Sequence, residues 1–161
     1  MKIVVISDTH MPRKAKELPE KLLIDLQYCD YIIHAGDWQS VELYNELKKF
    51  GPVIGVTGNV DGPELKSLLK TKEILQAGSF QIGIVHGHGT GKTTEKRAIE
   101  TFEADKVDCI VYGHSHIPVV KEVEGVIIFN PGSPTDKRRQ KQFSYGILNV
   151  GEEIVAEHVF F

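Results

Sequence analysis

Cys109-Ile110-Val111-Tyr112-Gly113-His114-Ser115-His116 is the stretch from which the architecture can be read. An apolar run of strand character, Ile110–Tyr112, is stopped by Gly113 and then delivers two histidines one residue apart. Glycine lets the backbone turn sharply and leaves room beside the turn. Histidines two apart on an extended segment point the same way, so His114 and His116 are expected to face one site. Four other apolar runs in the chain end in ligand-type residues, which makes a metal site the expectation.

Upstream, strands are expected at Ile3–Ile6, Tyr31–His34, Val53–Val56, 73–77 and 80–85, the last two joined at Gly78-Ser79 as a hairpin. The first is apolar throughout and mostly β-branched, as a strand buried on both faces should be. Helices are expected after Pro19, with Leu22, Leu23 and Leu26 on one face, from Val41 to about Phe50, over Pro63–Leu69 and over about Thr93–Phe102. Downstream of His116 the texture changes. Val119–Val123, Val126–Phe129, Ser144–Val150 and Ile154–Phe160 are β-type runs with no helix between them. The first two-thirds alternate strand and helix, and the last third is all strand. No repeat or linker interrupts the chain, so residues 1–161 are expected to form one domain.

The composition, 41% hydrophobic and 25% charged, is that of a globular protein. A net charge of −3 argues against general nucleic-acid binding through the phosphate backbone. Four apolar residues before Ser7-Asp8 are too few for a signal peptide, and no run approaches the ~20 apolar residues of a membrane span. Cys29 and Cys109 lie beside apolar runs far apart in sequence and read as buried free thiols, which fits a cytoplasmic protein. Lys137-Arg138-Arg139-Gln140-Lys141 reads as a solvated basic loop.

In an open α/β sheet, ligands bind outside the carboxyl ends of the strands. Five strand ends deliver Asp8 with His10, Asp37, Asn59, His86, and His114 with His116 to that edge. Each alone has a structural explanation, as a turn or helix cap; five pointing at one edge do not. Seven groups are too many for one tetrahedral zinc. Two carboxylates, one amide oxygen and four imidazoles without a thiolate suit a pair of borderline divalent ions. Two such ions roughly 3.5–4 Å apart can clamp a phosphate and activate a water at neutral pH. His34, inside a strand, reads as a hydrogen-bonded core residue, and His158 is given no role.

Asp8-Thr9-His10, Gly36-Asp37, Gly58-Asn59, His86-Gly87 and Gly113-His114-Ser115-His116 resemble, in order and spacing, the motif set of the calcineurin-like metallophosphoesterases. With the short length and the later Asn130-Pro131-Gly132-Ser133, the chain is similar to the compact bacterial and archaeal phosphodiesterases of that superfamily. The resemblance implies an α/β fold, a two-sheet β-sandwich flanked by helices, with the all-strand end in the second sheet. It implies a phosphodiesterase acting on a small phosphate ester with two divalent ions, Mn²⁺ foremost and Ni²⁺, Fe²⁺, Co²⁺, Zn²⁺ or Mg²⁺ as substitutes. Asp8, His10, Asp37 and His116 would hold one ion, and Asp37, Asn59, His86 and His114 the other, with Asp37 as the bridge. Homo-oligomerisation is left open. One retromer subunit shares the compact fold as a scaffold that has lost part of the metal set; here every ligand position is filled.

His86 and His88 compete for one ligand position, since each precedes a glycine; His86, first past its strand, is preferred, leaving His88 beside the substrate or exposed. Larger members of the superfamily carry Gly-Asn-His-Glu or Gly-Asn-His-Asp, whose histidine is thought to protonate the leaving group. This chain has Gly58-Asn59-Val60-Asp61, and valine has no proton to donate. Asp61, given a raised pKa, would be the substitute acid. Gly87-His88-Gly89-Thr90-Gly91-Lys92-Thr93 looks like a P-loop, but it is one residue short and has no spare strand-borne Asp for Mg²⁺.

Overall fold

The computed structural model describes residues 1–161. Helices and strands follow the expected order: β1 (Lys2–Ile6), α1 (Glu20–Leu26), β2 (Tyr31–His34), α2 (Val41–Leu47), β3 (Val53–Gly55), α3 (Pro63–Leu68), β4 (Lys72–Ala77), β5 (Phe80–Val85), α4 (Thr94–Thr101), β6 (Cys109–Val111), β7 (Val119–Val123), β8 (Val126–Asn130), β9 (Ser144–Val150) and β10 (Ile154–Phe160). The helix expected to reach Phe50 stops at Leu47. Residues 48–50 close it with turn hydrogen bonds, Lys49 N–H to Glu46 and Phe50 N–H to Leu47.

One five-stranded sheet has the order β10-β9-β1-β2-β3, and the other β4-β5-β6-β8-β7. Within them β1, β2 and β3 are parallel, as are β5, β6 and β8. The terminal strands do not stay together as expected. β7 and β8 join the second sheet, whereas β9 pairs antiparallel with β1 and carries β10 with it. Antiparallel pairing along β1 suits β9, because its apolar residues Leu148 and Val150 then face the inter-sheet layer.

Side-chain parity explains the layers. Ile3, Val5 and Ile33 of the first sheet meet Ile82, Ile84, Cys109, Val111 and Phe129 of the second in the central core. The intervening Val4, Ile6 and Ile32 turn the other way, onto Leu22 and Leu26 of α1 and Leu43 and Leu47 of α2. On the far face of the second sheet, Ile110, Tyr112 and Ile128 pack beneath Ala98 and Phe102. The result is a sandwich with helices outside both sheets. Fully buried Phe129 holds the sheets in register, and truncating such a ring costs about 3–5 kcal/mol. Both cysteines are free; Cys109 is buried as expected, but Cys29 is only half-buried because it follows the end of α1.

The parallel strands of each sheet end on one edge. Six loops leave it, after β1, β2, β3, β5, β6 and β8, and everything that follows sits there.

Candidate metal centre

The loops after β1 and β2 continue their ladder past the strands. Asp8 N–H donates to Gly36 O at 3.0 Å, His10 N–H to Asp37 O at 3.1 Å, and Met11 N–H to Trp38 O at 3.0 Å. They do so in a conformation that side chains rarely adopt. Asp8, His10, Asp37, His114 and His116 all have positive φ, between 45° and 67°. Five candidate ligands in left-handed backbone are a cost that persists only where the surroundings impose it, and such clusters mark functional sites. This overturns the reason given for His114 and His116: β6 ends at Val111, and the histidines ride a left-handed turn rather than an extended segment. They reach one cleft but join different groups. Gly113 is needed for proximity, since a Cβ there would overlap Ser7 Oγ and crowd Asp8.

The first group is Asp8, His10 and His116, and the second Asp37, His86 and His114; within each, the ligand atoms lie within 4.8 Å of one another. In the first, His116 Nε2 is 3.4 Å from Asp8 Oδ1 and 3.4 Å from His10 Nε2. In the second, Asp37 Oδ2 is 3.2 Å from His86 Nε2, and Asn59 Oδ1 is 3.1 Å from both His86 Nε2 and His114 Nδ1. Asp37 Oδ2 also lies 3.6 Å from His10 Nε2, so it stands between the groups.

The donor chemistry fits cations. His116 gives its Nδ1 hydrogen to Asp136 O at 2.5 Å, and burial holds the ring down at about 4, so its Nε2 presents a lone pair to the cleft. His86 gives its Nδ1 hydrogen to Ala35 O at 2.7 Å, which leaves Nε2 against two acceptor oxygens. Burial opposes charge on His86, but the carboxylates of Asp37 and Asp8 outweigh it and raise its pKa. Burial likewise works against charge on Asp37; His86 and the Val60 N–H win, holding that carboxyl at about 2. Asp8 is pushed by burial to about 7, with His86 and Ser7 acting against the rise. A divalent ion supplies what these acceptors lack.

Asp61, anticipated as a substitute acid, lies beneath the loop after β3 and meets backbone donors. It is 2% exposed, and its oxygens accept three backbone N–H bonds: Gly58 at 2.7 Å, Gln39 at 2.8 Å and Asp37 at 3.0 Å. The carboxyl oxygens are thus met by backbone donors. Its carboxylate ties the loop after β3 to the backbone of Asp37. His88 belongs to neither three-residue group; its exposed ring lies 5.4 Å from that of His86 and 6.3 Å from that of His114. His34 is the core residue expected: it accepts from Gly36 N–H, donates from Nε2 to Thr9 Oγ1 and stacks on Trp38. The P-loop look-alike is otherwise engaged, with Lys92 paired to Glu100 and Arg97 donating to Gly87 O.

The sixth loop was not read from the residues as part of the site. Asn130 donates to Gly113 O at 3.0 Å and to Ser115 Oγ at 3.1 Å, while Ser133 donates to Asp8 O at 2.8 Å. Thr135 donates to Thr9 O at 2.6 Å. Asn130–Asp136 thus clasps the loops after β1 and β6. The available signal was an apolar run ending in Asn-Pro-Gly-Ser, the same texture as the other five ends. His158, given no role, donates to Asn130 O at 2.7 Å and stacks on Phe129.

A model of the calcineurin-like phosphoesterase superfamily domain matches residues 1–153. The chain belongs to that superfamily. It is 34% identical over 160 residues to a probable metallophosphoesterase of Methanothermobacter thermautotrophicus, covering 98% of this chain and 91% of that protein. It is 30% identical over 148 residues to a phosphodiesterase of Methanocaldococcus jannaschii, covering 82% of this chain and 83% of that one. Among solved structures, Vps29 of Entamoeba histolytica complexed with zinc superposes with a TM-score of 0.79 at 24% identity, over 99% of both chains. That last likeness concerns the fold alone. Membership makes the chain one of a phosphoesterase family. No helix is long and apolar enough to cross a membrane.

Proposed function

We propose that the single domain of residues 1–161 is a dinuclear metal-dependent phosphodiesterase of the cytoplasm acting on a small phosphate ester. The observation that carries this is the pair of carboxylate–imidazole groups with Asp37 between them, its Oδ2 standing 3.2 Å from His86 and 3.6 Å from His10. Asp8, His10, Asp37 and His116 would hold one ion, and Asp37, Asn59, His86 and His114 the other, Mn²⁺ first among the candidates. When bound, such ions neutralise the phosphate and make a water nucleophilic near neutral pH. The chain's own residues supply the rest. Asp136 O and Ala35 O fix the ring nitrogens of His116 and His86 that face inward. Ser7 Oγ and His114 N–H hold the Asp8 carboxylate. Asp61 positions Asp37 and Asn59 rather than moving a proton. No acid stands at exposed Val60, and His88 is the remaining side chain able to meet a leaving group.

The scaffold alternative, of the kind known for the retromer subunit, is disfavoured by the complete ligand set. One experiment separates the two: metal content together with turnover of bis(4-nitrophenyl) phosphate, before and after exhaustive chelation. The expected result is about two equivalents of metal, activity lost with the metal and regained with Mn²⁺. Full activity after metal loss verified by elemental analysis would end this reading.

A further inference from the structure

The two histidines after β6 go to different groups, His116 to the first and His114 to the second, although a single residue separates them. Whatever fixes the turn Gly113–His116 therefore fixes a candidate ligand of each group at once. The turn closes on itself through Ser115 N–H to Gly113 O at 2.8 Å and Ile117 N–H to Ser115 Oγ at 3.3 Å. Both acceptors, Gly113 O and Ser115 Oγ, also take a hydrogen from one side chain, the Nδ2 of Asn130, at 3.0 and 3.1 Å. Gly113 and Ser115 flank His114 in the chain, and Ser115 adjoins His116 as well.

Asn130 is itself held firmly. It is fully buried at the end of β8. Its Oδ1 accepts from Gly132 N–H at 2.9 Å, which turns the amide hydrogens toward the histidine turn. Its main-chain oxygen accepts from His158 Nε2 at 2.7 Å, and the His158 ring stacks on Phe129 with centroids 4.7 Å apart. A hydrogen-bonded line thus runs from β10 through Asn130 to the turn. The other supports act elsewhere: the Asp61 carboxylate reaches the loops after β2 and β3, and the Thr135 hydroxyl the loop after β1.

Taking the centre to be dinuclear, as under the proposed function, we propose that Asn130 is a positioning residue for both metal sites together, with His158 as its support from β10. Loss of the amide fork would free the turn, and His114 and His116 would shift as one. Loss of a support that reaches a single loop should be felt unequally by the two sites.

The test is Mn²⁺ binding to the metal-free protein, followed by calorimetry against a competing chelator. Asn130→Asp keeps the size and the Gly132 bond but sets an acceptor against Gly113 O. Both equivalents should then weaken by about 10–100-fold, as when a ligand's supporting partner is lost. Ser115→Ala removes one arm of the fork, and His158→Phe removes the support while leaving a ring to stack on Phe129; each should weaken both equivalents by about fivefold. Thr135→Val should instead weaken one equivalent more than the other. Ile128→Val, a change in the core on the same strand, should lower the melting temperature and leave both affinities within about twofold. The proposal is overturned by Asn130→Asp affinities within about twofold of the wild type, by a loss confined to one equivalent, or by equal parallel losses in Thr135→Val or Ile128→Val. Should Asn130→Asp fail to fold, Ser115→Ala decides by the same criteria. A wild type that binds fewer than two ions would overturn the proposal as well. One that binds two ions but leaves bis(4-nitrophenyl) phosphate intact ends the phosphodiesterase reading alone, and the affinities still decide the role of Asn130.

Discussion

Asp8, His10 and His116 lie on the floor of the cleft, none more than 7% exposed, each reached by contacts from neighbouring loops. Across Asp37, the amide of Asn59 stands in solvent and His114 is half-exposed, with only His86 as deeply buried. The floor is held by the fold itself: Asp136, Thr135, Ser133 and Ser7 bond its candidate ligands or the backbone that bears them. On the mouth side Ala35 O holds His86 and Asp61 holds the backbone of Asp37 and Gly58, while Asn59 is exposed; in the proposed reading a cation would complete it. Under the proposed function, the buried half would retain metal and the open half would admit an ester, a division of labour that the ligand list alone does not express.

The most damaging way to break that division is to remove the residue common to both halves. Asp37→Asn should lower kcat by about 10³-fold or more and lose at least one metal equivalent, since two ions would then face each other less shielded. His116→Ala and Asn59→Ala should each cost less, and elemental analysis beside kcat gives the ranking. An Asp37→Asn protein with two ions and near-normal turnover would show that Asp37 is not the bridge.

A smaller effect sharpens the role of Asp61. Asp61→Asn should weaken metal binding by about 10–100-fold, as loss of a ligand's supporting partner does. The slope of log kcat against leaving-group pKa should stay as in the wild type, because no proton transfer has been removed. A slope that steepens only in the variant would restore Asp61 as the acid.

The smallest effect per step is a pH dependence that begins with Asp8 on the floor. A carboxyl raised to about 7 keeps its proton below that pH in the metal-free protein, and an incoming ion must displace it. Metal affinity should therefore fall by at least about tenfold per unit as pH drops below about 7, and His86, whose pKa is also raised, adds a second proton to be displaced. His114 and His116, depressed by burial to about 4, compete for a proton only in far more acid solution. Competition titrations from pH 5 to 9 test the sign; affinity that is level down to pH 5 would place Asp8 with ordinary carboxylates.

Much of this was legible in the residues. Apolar runs ending in Asp, Asn and His gave the strand edge, and Leu22 with Leu26 gave the helix face. Less accessible were facts that depend on contacts across the fold. Nothing in Gly113-His114-Ser115-His116 announces left-handed histidines, whose backbone is held from distant loops, with His114 N–H donating to Asp8 and Gly113 O accepting from Asn130. The three backbone N–H groups that Asp61 accepts, from Gly58, Asp37 and Gln39, come from two separate loops, and no local pattern announces them. The strands Ser144–Val150 and Ile154–Phe160 were recognisable as strands, but their sheet is chosen by the partner β1, not by their own pattern.

That last pairing bears on how the protein comes into being on the ribosome. β1, whose end carries Asp8 and His10, has β2 on one side early, but its other neighbour, β9, spans residues 144–150. The clasp at Asn130–Asp136 also emerges late. Long-range closure of this kind is slow and entropically costly. A nascent chain halted near residue 125 would carry six of the seven proposed metal-ligand positions within residues 8–114 and the last at 116, yet lack the segments that make them converge. Such a chain has little means of sequestering an ion, so metal loading should follow synthesis rather than accompany it.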